Sequence, residues 1–191
     1  MKIENTEVYG LFNTSRVARF PMAVDTSKIS EGGFDRLRKL SEAPIGSGHA
    51  NALNGIIVQF DITASNKFWV EAERYHWFEI VSSQSTMHRL KDFDIRKMCN
   101  EYVSESIIDI LENMQAEYNK TKDKEDLLTL LYNAPAGIEL TVGMSTNYLQ
   151  LKTIYNQRRH HLLPEWQMVC DWIESLPYSY LITGGITDEN E

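Results

Sequence analysis

Only two cysteines occur in the 191 residues, Cys99 and Cys170, and no Cys-x-x-Cys spacing is present. A disulfide framework and a thiolate zinc site are therefore not expected, and both cysteines read as reduced thiols of a cytoplasmic protein. No apolar run approaches the ~18 residues of a membrane helix, and no signal-type hydrophobic region opens the sequence. The chain reads as neither membrane-spanning nor exported. A basic excess is also missing: 19 Lys and Arg stand against 27 Asp and Glu, a net charge of -8. Counterion release from nucleic acid needs a basic face, so broad nucleic-acid binding is not expected, while a small basic pocket inside an acidic envelope is compatible with the charge. Phosphate-binding loops of the Gly-rich kind are absent. G-S-G-H-A-N-A-L-N-G (46–55) has no Walker lysine and does not run from strand to helix as a dinucleotide fingerprint does.

Two further chemistries have little to stand on. Ser82, Ser83 and Ser85 precede His88, but no elbow motif and no orienting acid accompany them, so the cluster taken alone reads as a solvated, serine-rich helix end. Glu73 and His76 form the one E-x-x-H pair, whereas carboxylate-bridged dimetal sites need two such pairs and further inward glutamates. No metal is expected.

What is present is an ordinary globular composition, 42% hydrophobic and 24% charged, in a chain long enough to bury a core without cross-links. The first 25 residues show no period. Residues 34–42 have Phe34, Leu37 and Leu40 at helical spacing, and 43–55 form a Gly/Asn/Pro-rich connection. Residues 56–63 (I-I-V-Q-F-D-I-T) alternate as a strand. Phe68, Ala72, Tyr75/His76, Glu79/Ile80 and Ser83 recur every three to four residues and predict a helix over 66–83, capped by Ser65 or Asn66. A second helix is expected over 101–119, with Val103, Ile107, Ile110, Leu111 and Met114 on its apolar face. Others follow over 124–133, 146–159 and 164–175, while 138–144 reads as a strand or as the lead-in to the next helix. The fold class is α+β: a small sheet beside several helices, one domain over 1–183, and an acidic tail over 184–191.

The most informative cluster is Arg158-Arg159-His160-His161. Asn147, Leu151, Ile154 and Arg158 are 4, 3 and 4 residues apart and lie on one helical stripe. Leu151 and Ile154 are expected to face the core, which carries the Asn147 amide and the Arg158 guanidinium to the two ends of the same face. A guanidinium fork suits a phosphate or the carbonyl edge of a pyrimidine. The competing reading is that Arg158 and Arg159 complement the dipole at a helix C-terminus.

Four segments, taken in order, carry a resemblance: V-A-R-F (17–20), the stretch 48–76 from Gly48-His49 to Arg74-Tyr75-His76, the stretch 133–158 with Pro135, Asn147, Leu151 and Arg158, and the stretch 164–180 with Glu165, Trp166 and Pro177. Together they resemble the flavin-dependent thymidylate synthases, over residues 16–183 and with nearly ungapped spacing. The resemblance implies an α+β homotetramer with FAD as cofactor. It also implies reductive methylation of dUMP to dTMP, with methylenetetrahydrofolate and NADPH as co-substrates. It places Arg74 and His76 on the cofactor phosphates, Asn51 and His49 near the flavin, and Asn147 on the isoalloxazine or ribityl chain. Arg158 falls on the pyrimidine edge, Ser85 falls beside the base, and Arg89 is a candidate phosphate ligand.

The sequence departs from the family pattern at the anionic contacts. Tyr75 stands inside the usually basic triplet, Asn51 replaces a small hydroxyl residue, and Met87, Leu131 and Leu149 occupy arginine positions. Each charge-assisted bond lost to a bound phosphate costs ~1.5–3 kcal/mol, roughly ten- to a hundredfold in affinity. The departures therefore admit two alternatives: a flavin- or nucleotide-binding relative that modifies a different pyrimidine, or a non-catalytic relative acting as a binding or regulatory module.

Overall fold

Val58, Phe60, Ile62 and Ala64 are all buried while Ile57 and Gln59 are exposed, the alternation of a strand with one covered face. This strand is β2 (Ile57–Ser65) of a computed structural model that describes residues 1–30 and 33–184. Beyond Gly184, the acidic tail expected at 184–191 lies outside the described residues. Strand β1 (Lys2–Tyr9) precedes it, and β3 (Glu79–Ser83) and β4 (Glu139–Asn147) follow. They form a four-stranded antiparallel sheet in the order β1-β2-β4-β3. Helices α1 (Leu11–Val17) and α2 (Asp35–Ser41) lie between β1 and β2, and α3 (Asn66–Ala72) follows β2 directly. After β3 come the short α4 (Thr86–Arg89) and α5 (Ile95–Met98), then α6 (Glu105–Thr121) and α7 (Lys124–Tyr132). After β4 come α8 (Tyr148–Arg158), α9 (Pro164–Glu174) and α10 (Tyr180–Thr183). The α+β expectation holds.

Contacts divide the chain into two compact units, the first made of Met1–Glu4, Asp61–Arg74 and Ile80–Met144. Its core is Leu90, Ile95, Ile108, Leu111, Leu130 and Ile138. The Ser65 hydroxyl accepts from the Phe68 amide at 3.2 Å, so the expected cap of α3 is present. The helix it starts is shorter than 66–83, however, for α3 stops at Ala72 and β3 takes 79–83. Trp77, at φ 63, breaks the helical path, and Ile80-Val81 favour the extended chain that follows. The face expected over 101–119 holds at Val103, Leu111 and Met114, which meet the core, and fails at Ile107 and Ile110. Those two are exposed, and Ile108 is buried. Two adjacent isoleucines fit either stripe, and packing selects Ile108.

The second unit holds the described residues of Asn5–Phe60, Tyr75–Glu79 and Ser145–Glu191. Leu37, Leu53, Ile56, Tyr148, Leu151, Ile154, Trp166 and Ile173 are fully buried in it. Leu151 and Ile154 thus face the core as expected. On the same helix Lys152 is buried: its ammonium donates to the carbonyl of Ser41 and, at 3.3 Å, to that of Ala43. Burial pulls the Lys152 pKa below the ordinary lysine range, partly opposed by Glu42. This contact ties α8 to the end of α2, where the connection toward Gly48 and His49 begins.

Candidate functional site

Residues 49–55 of the predicted connection wind into a 3-10 turn opened by Gly48 at φ 81. The turn buries Ala50 and Leu53 and leaves His49 and Asn51 exposed. Both line a cavity of about 580 Å³ in the second unit, together with Thr14, Arg36 and Gly55. The size lies within the usual range for small-molecule sites. Its wall is closed by a tight approach: a Cβ on Gly55 would come within 2.5 Å of Thr14 Oγ1. Arg36 and His49 are the ionisable residues of the described lining, and no Asp or Glu is among them. The Arg36 Nε is buried without a hydrogen-bond partner. The cavity therefore offers a cation, an imidazole and an amide to an anionic or polar ligand, with no carboxylate among its described lining residues to repel one.

A second cluster surrounds Arg158, at the last turn of α8. Its Nε donates to the Tyr75 hydroxyl at 2.7 Å. Its guanidinium carbon lies 4.7 Å from the Trp166 ring centroid and 5.4 Å from that of Tyr75. The two rings meet edge to face at 5.6 Å, and the Tyr75 hydroxyl donates to Gln157 Oε1 at 2.9 Å. Arg158 is thus held by side chains in the matching segments 48–76 and 164–180. Arg159 lies over Tyr155, and the His161 Nδ1 accepts from the Leu163 amide at 3.1 Å, so these two bind locally.

Asn147 is buried where β4 passes into α8, and its Oδ1 accepts from the Gln150 amide at 2.9 Å as the helix N-cap. The adjacent Thr146 is buried too, and its hydroxyl has no hydrogen-bond partner. Ser85, in the first unit, caps α4 by accepting from the His88 amide at 3.3 Å, so these two residues meet through the backbone of His88. Arg89 pairs with Asp92 at 3.5 Å, both being exposed. Arg74 and His76 are exposed in the turn after α3, and the E-x-x-H pair is not on one helix because α3 ends before Glu73. Met87 is exposed, and Leu131 packs against the core of the first unit.

The structure therefore brings His49 and Asn51 together on one cavity and places Arg158 with Tyr75 and Trp166. Sequence reasoning missed Arg36. Its signal was weak: it flanks the 34–42 stripe, one residue before Leu37 and four before Leu40. The pairing of Tyr75 with Arg158 was missed as well, because Tyr75 read only as a departure from a basic triplet.

No protein-family profile and no curated protein matches the sequence. Solved structures do match. Thymidylate synthase X from Helicobacter pylori, solved with FAD and dUMP, superposes with a TM-score of 0.77 at 18% identity, covering 96% of this chain and 98% of that one. A second structure of the Helicobacter pylori flavin-dependent thymidylate synthase with FAD and dUMP gives 0.77 at 17% identity, covering 98% and 100%. A UMP/dUMP methylase from Streptomyces cacaoi, bound with 5-Br dUMP, gives 0.64 at 15% identity, covering 91% and 89%. The chain has the fold of the flavin-dependent thymidylate synthases over nearly its whole length.

Proposed function

We propose that the protein is an FAD-dependent enzyme that methylates the ring of a pyrimidine nucleotide, with dUMP as the reference substrate and methylenetetrahydrofolate and NADPH as co-substrates. The observation that carries this reading is the juxtaposition of His49 and Asn51 on a cavity whose described lining holds no Asp or Glu, within a fold shared over nearly the whole chain with structures that hold FAD and dUMP. The residues present fit a flavin nucleotide. Arg36 has an unsatisfied buried donor for a phosphate oxygen, and Asn51 offers an amide where a hydroxyl is usual. When bound, the flavin supplies the hydride and carries the one-carbon unit.

The protein's own part is binding and polarisation. Arg158, pre-oriented by Tyr75 and Trp166, presents its fork to the pyrimidine edge, where a fixed cation lowers the cost of charge developing on a ring carbonyl. Asn147 orients the flavin from the β4–α8 junction, Arg74 and His76 hold cofactor phosphates, and Ser85 hydrogen-bonds the base with Arg89 near its phosphate. We read the assembly as a homo-oligomer, a tetramer in keeping with the sequence resemblance, working in the cytoplasm.

The natural substrate being a pyrimidine other than dUMP is a second reading, favoured by Leu131: an arginine position of the family pattern is held by a partly buried leucine packed against a hydrophobic core. The neighbouring UMP/dUMP methylase fold fits this too. The deciding test is the visible spectrum of the purified protein before and after FAD is added and the excess removed. Retained flavin supports the enzyme reading. A colourless protein that takes up no flavin overturns it and leaves the non-catalytic binding module.

A further inference from the structure

Arg36 lines two cavities of the second unit, the one of about 580 Å³ with His49 and Asn51 and another of about 430 Å³. The second is lined by Arg19, Lys28 and Asp25 as well. Each of these has a local bond. Arg19 donates to the Gly33 carbonyl at 2.8 Å, Lys28 pairs with Asp25 at 3.3 Å, and Asp25 accepts from the Ser27 hydroxyl at 2.6 Å. Arg36 differs, because its Nε is buried and has no hydrogen-bond partner. Buried donors are left unpaired at few native positions, and a group on a permanent cation is among the costlier ones to leave so. No acid among the described residues lines the larger cavity to compensate the charge. The sequence meanwhile lacks arginines at Met87, Leu131 and Leu149, and carries Tyr75 within the expected basic triplet.

We propose that Arg36 is the anchor for a phosphoryl group of the bound ligand, a cation supplied from α2 in a chain that lacks several expected elsewhere. A guanidinium fork takes a phosphate through two parallel N–H bonds, which a neutral side chain of the same length does not reproduce. Arg36 itself follows from the cavity, and only the identity of the phosphorylated ligand rests on the flavin and pyrimidine reading above.

The test is calorimetric titration of inorganic pyrophosphate, FAD, riboflavin, dUMP and deoxyuridine into the wild type, Arg36→Met and Arg36→Gln, with circular dichroism and a thermal melt establishing that each variant folds. Both variants are expected to weaken pyrophosphate, and whichever phosphorylated ligand uses the site, by roughly ten- to a hundredfold. Riboflavin and deoxyuridine should bind as before. A loss confined to FAD puts the anchored phosphate on the cofactor, and one confined to dUMP puts it on the substrate; either supports the assignment. Unchanged affinity for every phosphorylated ligand in a folded variant overturns it, and so does an equal loss for the phosphate-free partners. Pyrophosphate binding that depends on Arg36, in a protein taking neither flavin nor nucleotide, supports the anchor and removes the enzyme reading. Flavin binding indifferent to Arg36 does the reverse, and a wild type binding none of the five removes both.

Discussion

The Nε of Arg158 donates to the Tyr75 hydroxyl at 2.7 Å, across 83 positions of sequence. Tyr75 is thereby the orienting partner of the residue proposed for the pyrimidine edge, and the Trp166 ring lies 4.7 Å from the same guanidinium carbon. Tyr75→Phe removes the hydroxyl that accepts from Arg158 and donates to Gln157 but keeps the ring, so a stability loss of about 1–2 kcal/mol is expected in urea unfolding. Nucleotide affinity should fall several-fold while flavin affinity stays. Arg158→Ala should lose nucleotide binding and turnover altogether, and Arg158→Lys should restore little because an ammonium lacks the fork. An Arg158→Ala protein that binds and turns over nucleotide like the wild type would sink the assignment.

These relationships differ in how far they can be read from sequence. Strand β2 was legible because one face is buried and its residues alternate, and α8 was legible because Leu151 and Ile154 mark its inner stripe. Strands β1 and β3 were not. They stand at the two edges of the sheet, and every residue of β3 is exposed, so neither writes a clear alternation into the sequence. Ile107 and Ile108 show a further limit: adjacent apolar residues fit either face until packing chooses. His49 and Asn51 were singled out through family spacing. Arg36 was not, because an arginine beside an apolar stripe looks like any solvated flank, and only burial reveals that its donor has no partner.

Gly137 should not tolerate a side chain. A Cβ there would stand 2.4 Å from Val103 Cγ2 and 2.6 Å from Asn100 Oδ1. Asn100 is held in place, since its amide donates to the Gly137 carbonyl at 2.9 Å and its Oδ1 accepts from the Tyr102 amide at 3.2 Å. Gly137→Ala is expected to cost about 1–3 kcal/mol, as overpacking of a close contact does. Val103→Ala removes one of the two clashing atoms, so the double variant should be more stable than the two separate losses add up to. Strict additivity in urea melts would show that the Val103 contact is not the cause.

Cys170 should make stability fall with alkali. Burial pushes its thiol from 9.0 up to about 11, with Asp171 and Glu174 adding to the rise and Arg159 opposing it. The folded state holds that proton longer than the unfolded chain, so the contribution is complete below pH 9 and is lost as pH climbs through about 11. Lys152 works the other way. Its pKa is lowered, so its penalty is present at neutral pH and is relieved as pH rises toward 10.5. The informative quantity is therefore a difference. Between pH 9 and 11 the stability of the wild type should fall more steeply than that of Cys170→Ala. Parallel curves would contradict the assignment.

Asn147 is expected to serve two ends, and they can be separated. Its Oδ1 accepts from the Gln150 amide at 2.9 Å, which satisfies one of the otherwise unpaired donors at the start of α8. Losing that cap in Asn147→Ala should cost about 1 kcal/mol, and Asn147→Ser should recover most of it, since a hydroxyl caps about as well as an amide. The flavin role uses the other end of the group. An amide has an NH₂ donor besides its capping oxygen, and serine has no second donor to offer once its hydroxyl faces the helix. Asn147→Ser is therefore expected to melt like the wild type yet bind FAD more weakly, by roughly the five- to tenfold that one neutral hydrogen bond is worth. Wild-type FAD affinity in the serine variant would reduce Asn147 to a helix cap, and would move the search for the residue that orients the flavin to Asn51.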